Sequence, residues 1–126
     1  MSVIVVDASA VAAVLFDEPE AEPLLAGGAG SLIAPNLLIY ELGSVCATKL
    51  VRRPSEASTL LARYRLFAEL DIELAETDWQ TLPQLAVKWA LSAYDAAYLQ
   101  IALARGARLV TLDARLAKAY DKATAP

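Results

Sequence analysis

The chain contains no histidine and only one cysteine among its 126 residues. Without histidine, neither a Ser-His-Asp nor a Cys-His catalytic centre can form. Cys46 has no partner for an internal disulfide, and its apolar neighbours at helical spacing predict a position in the core. Any catalytic or metal-binding chemistry must therefore come from other side chains.

Long apolar segments are also missing. No stretch approaches the ~20 apolar residues that a bilayer-spanning helix needs. The apolar N-terminal run contains Asp7, has no basic segment before it and ends at Asp17 and Glu18, so we do not expect a signal peptide. The composition and length predict a cytoplasmic protein without a membrane association, folded as one domain over residues 1–126.

Short β-branched runs alternate with amphipathic segments along the chain. We predict strands at residues 3–6, 31–34, 72–74 and 107–112. Helices are predicted up to about residue 16, then at 20–26, 36–51, 55–70, 78–91, 95–105 and from 114, with a glycine-rich loop at 27–30. Gly106 stands where a left-handed C-cap belongs, and residues 121–126 are expected to be loosely ordered. This alternation predicts an α/β layer fold with a mainly parallel sheet.

Four acidic residues interrupt or end apolar segments, where a carboxylate is costly. They are Asp7, Glu41, Asp95 and Asp113. An unpaired carboxylate loses several kcal/mol of hydration on burial, so each needs a cation, several hydrogen-bond donors or a proton. Taken singly, the three aspartates could be helix caps or turn residues, whereas Glu41 has no basic partner three or four residues away.

The predicted topology allows these four acids to meet. Asp7 and Asp113 follow predicted parallel strands, so both should lie at the carboxyl edge of the sheet, where ligands bind. Glu41 lies about one turn into a helix that begins after the second strand, and Asp95 lies in the first turn of another. Oxygen-only ligands favour Mg²⁺ or Mn²⁺. Such a site supports metal-dependent hydrolysis of phosphodiesters.

The net charge of −4 at first argues against a nucleic-acid partner. Setting aside the four acids, however, leaves 11 acidic and 11 basic residues. RNA binding therefore stays possible if basic residues gather near the site. The candidates, none of which is assigned to the site from sequence alone, are Lys49, Arg52, Arg53, Arg105, Arg108, Arg115 and Lys118.

The four acids and their neighbours, taken in order, resemble a known family. The fragments are Val-Val-Asp7-Ala-Ser9-Ala, Ile39-Tyr40-Glu41, Tyr94-Asp95-Ala96-Ala97-Tyr98 and Val110-Thr111-Leu112-Asp113. Together they resemble the PIN-domain nucleases, and among these the VapC-type toxins. The resemblance implies a three-layer α/β/α fold with a mainly parallel central sheet of four or five short strands. Residues 122–126, where the family has its fifth strand, have a sequence with little β-strand character.

The resemblance also implies a function and partners. It implies a Mg²⁺- or Mn²⁺-dependent endoribonuclease with Asp7, Glu41, Asp95 and Asp113 as catalytic and metal-binding residues. Ser9 and Thr111 would orient Asp7 and Asp113. The expected partners are an RNA substrate, a small VapB-type antitoxin and a second copy of the chain in a homodimer.

Other classes remain open from the sequence. A phosphorelay receiver would need paired acids after the first strand and a lysine after a late strand, and neither arrangement occurs. A haloacid-dehalogenase-like phosphatase would need an aspartate where Ser9 stands. A metal-binding PIN-like module without turnover also fits. The two tryptophans at helical spacing, Trp79 and Trp89, are predicted as core or interface residues rather than a base-stacking surface.

Overall fold

The computed structural model describes residues 2–21 and 30–126. The strands are Val3–Val6 (β1), Ser31–Pro35 (β2), Glu73–Ala75 (β3) and Arg108–Val110 (β4). The α-helices are Ala8–Leu15 (α1), Leu38–Arg52 (α2), Ala57–Arg65 (α3), Leu82–Trp89 (α4), Ala93–Arg105 (α5) and Ala114–Thr124 (α6). Short 3₁₀ helices, Pro54–Glu56 and Leu66–Glu69, flank α3. Most of the predicted helix at 20–26 and of the glycine-rich loop lies outside the described residues.

The four strands form one parallel sheet in the order β3-β2-β1-β4. Because crossovers between parallel strands are right-handed, the path from β1 through β2 to β3 puts α1, α2 and α3 on one face. The return from β3 to β4 runs the opposite way and puts α4 and α5 on the other face. There α5 packs on β1, β2 and β4, and α4 and α6 pack against α5. The predicted three-layer α/β/α fold is confirmed.

The core is centred on β1, which lies between two other strands and under helices on both faces. Val5 of β1 is completely buried. Ala96 and Ala97 of α5 are also buried, and their small side chains let this helix lie close to the sheet. Cys46 is 3% exposed, so its predicted core position is confirmed. A cavity of about 140 Å³ beside α1 has a mainly apolar lining and none of the four candidate acids.

Two predictions about local structure are wrong, and a third is narrowed. Residues 121–124 are the last turn of α6 rather than loosely ordered, since Tyr120 donates to the carbonyl of Ala107 at 3.0 Å and holds the helix on the domain. The helix predicted from residue 78 begins at Leu82, because Asp78 accepts hydrogen bonds from Gln80 and Thr81 in a local turn. Trp79, before that helix, is 73% exposed, so it is not a core residue, and the alternative that it lies at an interface stays a prediction.

No helix in the part of the chain that the structure describes is long and apolar enough to cross a membrane.

Two helices end in the left-handed conformation, one with glycine and one with alanine. Gly106 caps α5 with φ of 58°, which confirms its predicted role, and Ala90 caps α4 with φ of 54°. An added Cβ at Gly106 would meet nothing within 4 Å, so a substitution there changes the backbone conformational energy alone. We expect Gly106→Ala to lower the free energy of unfolding by about 1 kcal/mol, and Ala90→Gly to raise it by a similar amount.

Urea unfolding of the two variants measures both effects in one experiment. Opposite shifts of the midpoint with unchanged slope are expected. Shifts of the same sign would show that contacts, rather than backbone conformation, determine the stability of these caps.

Candidate active site

The carboxyl edge of the sheet has a crevice at β1. The chain leaves β1 toward β2 on one side, while β4 lies on the other, and the crossover helices diverge at this point. Val6 pairs with Val110 in the β1–β4 register, so the residues that follow, Asp7 and Thr111, emerge side by side. The backbone N–H of Asp7 donates to the carbonyl of Val110 at 3.3 Å. Two distant parts of the sequence are thus brought together at this edge.

Asp7 is the one buried charged residue in the described chain, with 5% of its surface exposed. Its Oδ1 accepts hydrogen bonds from Ser9 Oγ at 2.7 Å and from the N–H of Ala10 at 3.0 Å. Its Oδ2 accepts from Thr111 Oγ1. The bond from Ala10 also makes Asp7 the N-cap of α1. A carboxylate has about four acceptor positions, so three donors fix this group and leave about one position for another ligand.

Ser9 and Thr111 also hold the segment that carries Asp113. Ser9 Oγ accepts from the N–H of Leu112, and Thr111 Oγ1 accepts from the N–H of Asp113, each at 2.9 Å. The single hydroxyl hydrogen of each residue points to Asp7, so the 3.4 Å separation of the two hydroxyl oxygens is a contact and not a further hydrogen bond. Ser9 therefore links the Asp7 carboxylate to the backbone of Leu112, and Thr111 links it to the backbone of Asp113.

Asp113 is the N-cap of α6. Its Oδ1 accepts from the N–H groups of Arg115 at 2.9 Å and Leu116 at 3.2 Å. This position lies at the positive end of the helix dipole, which interacts favourably with an acidic side chain. The capping bonds use one carboxylate oxygen, and Oδ2 makes no hydrogen bond with the described residues.

Glu41 and Tyr98 form a pair across the edge of the sheet. Tyr98 donates its phenolic hydrogen to Glu41 Oε1 at 2.6 Å, and its side chain is 1% exposed. Burial and the bond to Glu41 raise the pKa of the Tyr98 phenol, so it stays a donor at neutral pH. Sequence reasoning missed this pair. A signal existed, because a tyrosine buried among alanines needs a partner for its hydroxyl group.

Asp95 lies in the first turn of α5, as predicted from the sequence. The helix begins at the N-cap Ser92, whose Oγ accepts from the N–H of Asp95 at 3.1 Å. The carboxylate of Asp95 is partly buried beside the positive end of the helix dipole.

The carboxylates interact electrostatically across the edge. Burial raises the pKa of Asp7, despite its hydrogen bonds, and the charge of Asp113 adds to the rise. Burial is also the largest cause of the raised pKa of Glu41, with contributions from the charges of Asp95 and Asp7. The pKa of Asp95 is raised by burial, then by Asp113 and Asp7, and is lowered to a smaller extent by Arg115.

No basic side chain forms a close ion pair with these acids among the described residues. The ion pairs of this part of the chain are Lys49–Glu18, Arg53–Glu56 and Arg105–Glu73. Within the described part of the chain, Arg115 is the one cation that shifts the pKa of Asp7, Glu41 or Asp95, and it acts on Asp95. The edge therefore carries a concentrated negative charge that its neighbours do not balance.

These residues suit a hard divalent cation by chemistry but do not form a ready-made coordination shell. In residues 2–21 and 30–126, no three histidine, cysteine or acidic side chains are gathered closely enough to hold a metal ion. The expectation of four carboxylates around one shared ion cluster is thus not met in this form. Asp7 and Asp113 cap helices, and Glu41 bonds to Tyr98. The candidate metal ligands of these four acids are all carboxylate oxygens, and their negative charge is not balanced, which fits Mg²⁺ or Mn²⁺.

Comparisons with known proteins agree on the family. The model of the PIN domain matches residues 4–122. Ribonuclease VapC3 of Pyrobaculum aerophilum is 31% identical over 129 residues, which cover 98% of each chain.

The crystal structure of PAE2754 from Pyrobaculum aerophilum has the same fold. It superposes with a TM-score of 0.74 and 22% identity over 94% of this chain and 84% of that one. The match to the PIN domain also excludes the receiver and phosphatase alternatives, whose folds are different. The chain therefore belongs to the PIN-domain family and is similar in sequence to a VapC-type ribonuclease.

Proposed function

We propose that this chain, as one PIN domain over residues 1–126, is a Mg²⁺- or Mn²⁺-dependent endoribonuclease that hydrolyses RNA phosphodiester bonds. The observation that carries the proposal is the unbalanced charge of Asp7, Glu41, Asp95 and Asp113 at the carboxyl edge of the sheet. An RNA phosphate is negative and would be repelled by four carboxylates alone. A divalent cation at this edge removes the repulsion.

In this proposal a bound metal would lower the pKa of a water molecule and would stabilise negative charge on phosphate oxygens. Asp7 would be the principal ligand together with Asp95, because Ser9, Thr111 and the N–H of Ala10 hold its carboxylate in one orientation. Glu41 and Asp113 would complete the shell. Tyr98 would orient Glu41, and the cap of α6 would orient Asp113.

The biological setting of the proposal follows the family resemblance. The relative named Ribonuclease VapC3 supports RNA as the substrate and a toxin of a VapBC toxin–antitoxin module as the role. A small VapB-type antitoxin would be the inhibiting partner. We further propose a homodimer in the cytoplasm.

A catalytically silent metal-binding module is the second candidate. The unbalanced charge of Asp7, Glu41, Asp95 and Asp113 would attract a cation in such a module as well, and this charge alone does not require turnover. The two candidates differ in turnover and agree on metal binding, so activity and binding must be measured separately.

Metal binding should stabilise the protein through Asp7. Because the pKa of Asp7 is raised in the folded state, the folded protein without metal becomes less stable as pH rises from the unfolded pKa through the folded one. At pH 7.5 in chelator, Asp7→Asn should therefore raise the melting temperature by a few degrees. At a hundredfold excess over its Kd, Mn²⁺ should stabilise the unsubstituted protein by about 2.7 kcal/mol, and Asp7→Asn should abolish this effect.

Thermal melting of both proteins, with Mn²⁺ and with chelator, measures these effects. Asp121→Asn is the matched control, since Asp121 is an exposed acid on α6 outside the site. It should respond to Mn²⁺ like the unsubstituted chain. An equal Mn²⁺ shift in Asp7→Asn would contradict the assignment of Asp7 as a ligand.

Cleavage should depend on two ligands and the metal. We expect Asp7→Asn and Asp95→Asn each to lower kcat/KM on a mixture of single-stranded and structured RNA by on the order of 10²–10³-fold, as for the loss of other preorganised electrostatic groups. Chelator should stop cleavage, and Asp121→Asn should leave it unchanged. Cleavage that continues in chelator or in both site variants would rule out a metal nuclease. Mn²⁺ binding without any cleavage would instead establish the silent module.

Tyr98 should affect catalysis by positioning Glu41. Tyr98→Phe keeps the buried ring and removes only the donor, so we expect a 10–100-fold loss of activity with a higher Mn²⁺ requirement. The matched control is Tyr120→Phe, which removes the bond to the carbonyl of Ala107 away from the acids. Both variants should lose some stability, but only Tyr98→Phe should shift the Mn²⁺ dependence. If excess Mn²⁺ restores no activity, the orienting role is wrong.

A further inference from the structure

A groove between α4 and α6 collects positive charge. It has a volume of about 610 Å³ and lies between the end of α4 and one side of α6. Its charged lining residues are Lys88, Arg115, Lys118 and Lys122, which are all exposed. The ring of Trp89 also lines it, with the Lys88 ammonium 5.4 Å from the ring centroid.

The spacing of the basic residues makes the groove a continuous positive track. Arg115, Lys118 and Lys122 recur at intervals of three and four residues, so they follow one side of α6. The buried residues Leu116 and Ala119 hold the adjoining side of the helix on the domain. From Arg115 to Lys122 the helix rises about 10 Å, which is long enough to contact more than one phosphate of a nucleic-acid strand.

The positive charge of the groove is not neutralised by close ion pairs within the described part of the domain. None of the four basic residues belongs to the close ion pairs found there, which involve Lys49, Arg53 and Arg105. No acidic side chain lines the groove among the described residues. In a chain of net charge −4, this concentration of positive charge is local.

The groove begins at the acidic edge. The carboxylate of Asp113 accepts from the N–H of Arg115, so the first residue of the track lies on the first turn of the helix that Asp113 caps. The charge of Arg115 also acts on Asp95 from the same position. A strand with one phosphate at the acidic edge would therefore meet Arg115 first and then Lys118 and Lys122.

We propose that this groove binds the RNA strand on one side of the cleaved phosphate. Lys88, Arg115, Lys118 and Lys122 contact its backbone, and Trp89 offers a ring face to a base. The inference rests on the proposed ribonuclease function and adds where the substrate lies. An acidic peptide would satisfy the charges, but it would not explain why the track starts where a phosphate must bind.

The test measures RNA binding separately from cleavage. The parent protein is the Asp7→Asn variant in chelator, so that bound RNA is not cleaved. The test variant carries Lys118→Gln and Lys122→Gln in addition. A single-stranded 12-nucleotide RNA is titrated over a KCl series. Two lost phosphate contacts should weaken binding on the order of tenfold at low salt and reduce the slope of log K against log[KCl] by about 1.4.

A control of equal charge is available on the opposite layer. Arg52 and Arg65 are exposed residues at the ends of α2 and α3, outside the groove. The double variant Arg52→Gln with Arg65→Gln should keep the affinity and slope of the parent within twofold. Melting curves of both double variants confirm that each is folded.

Tryptophan fluorescence locates the bound strand. The chain has two tryptophans, so Trp79→Phe leaves Trp89 as the only reporter. RNA should quench Trp89 with the same Kd as in the titration, and Lys118→Gln with Lys122→Gln should shift that quenching to higher RNA concentration. Poly-glutamate should compete less strongly than unlabelled RNA at matched charge concentration, because it has no base to contact Trp89.

The outcomes separate this inference from the proposed function. Cleavage by the unsubstituted chain together with equal RNA affinity and slope in both double variants would overturn the groove while leaving the nuclease intact. Displacement of RNA by poly-glutamate as effectively as by unlabelled RNA at matched charge would also overturn it, in favour of an acidic peptide. Binding that depends on the groove without any cleavage would overturn the nuclease and support the groove.

Discussion

The burial of the Asp7 carboxylate on the central strand is the constraint around which this domain is organised. β1 has a neighbour on each side and helices on both faces, so the residue at its carboxyl end is removed from water. Three donors from two distant segments, Ser9, Ala10 and Thr111, compensate for the lost hydration. They do not balance the charge, because they are neutral groups. The pKa of Asp7 is raised in spite of them.

The rest of the edge adds to this imbalance. Glu41, Asp95 and Asp113 come from three further elements. Tyr98 holds Glu41, while Asp95 and Asp113 lie at helix N-termini, where the dipole favours negative charge. Three basic residues, Arg115, Lys118 and Lys122, lie immediately beyond, along α6. The acidic edge and the basic groove are therefore adjacent and have charges of opposite sign. This arrangement suits a polyanion that is bound along its backbone by the groove and cleaved at one phosphate beside the acids.

Much of the fold was predictable because its signals are local. The apolar run that ends at Asp7 predicts a strand, and the glycine after α5 predicts a left-handed C-cap. Both predictions are confirmed. The placement of the acids at one edge followed from the rule for parallel strands. The predictions that failed depended on tertiary contacts or on competition between local bonds. The hydrogen bond from Tyr120 to the carbonyl of Ala107 holds the C-terminal part of α6 on the domain. Asp78 accepts a hydrogen bond within a turn, so α4 begins four residues later than predicted. The bond between Tyr98 and Glu41 joins residues 57 positions apart, so no local pattern contains it.

The central claim is that the buried charge of Asp7 is matched by a divalent cation, and the most direct measurement is the position of that ion. Crystals grown with Mn²⁺ and measured at its absorption edge give an anomalous difference map that identifies manganese by element. The account predicts a peak at ~2.1 Å from a carboxylate oxygen of Asp7, with a second ligand from Glu41, Asp95 or Asp113. A map with no peak at this edge, at a Mn²⁺ concentration that supports RNA cleavage, would contradict it.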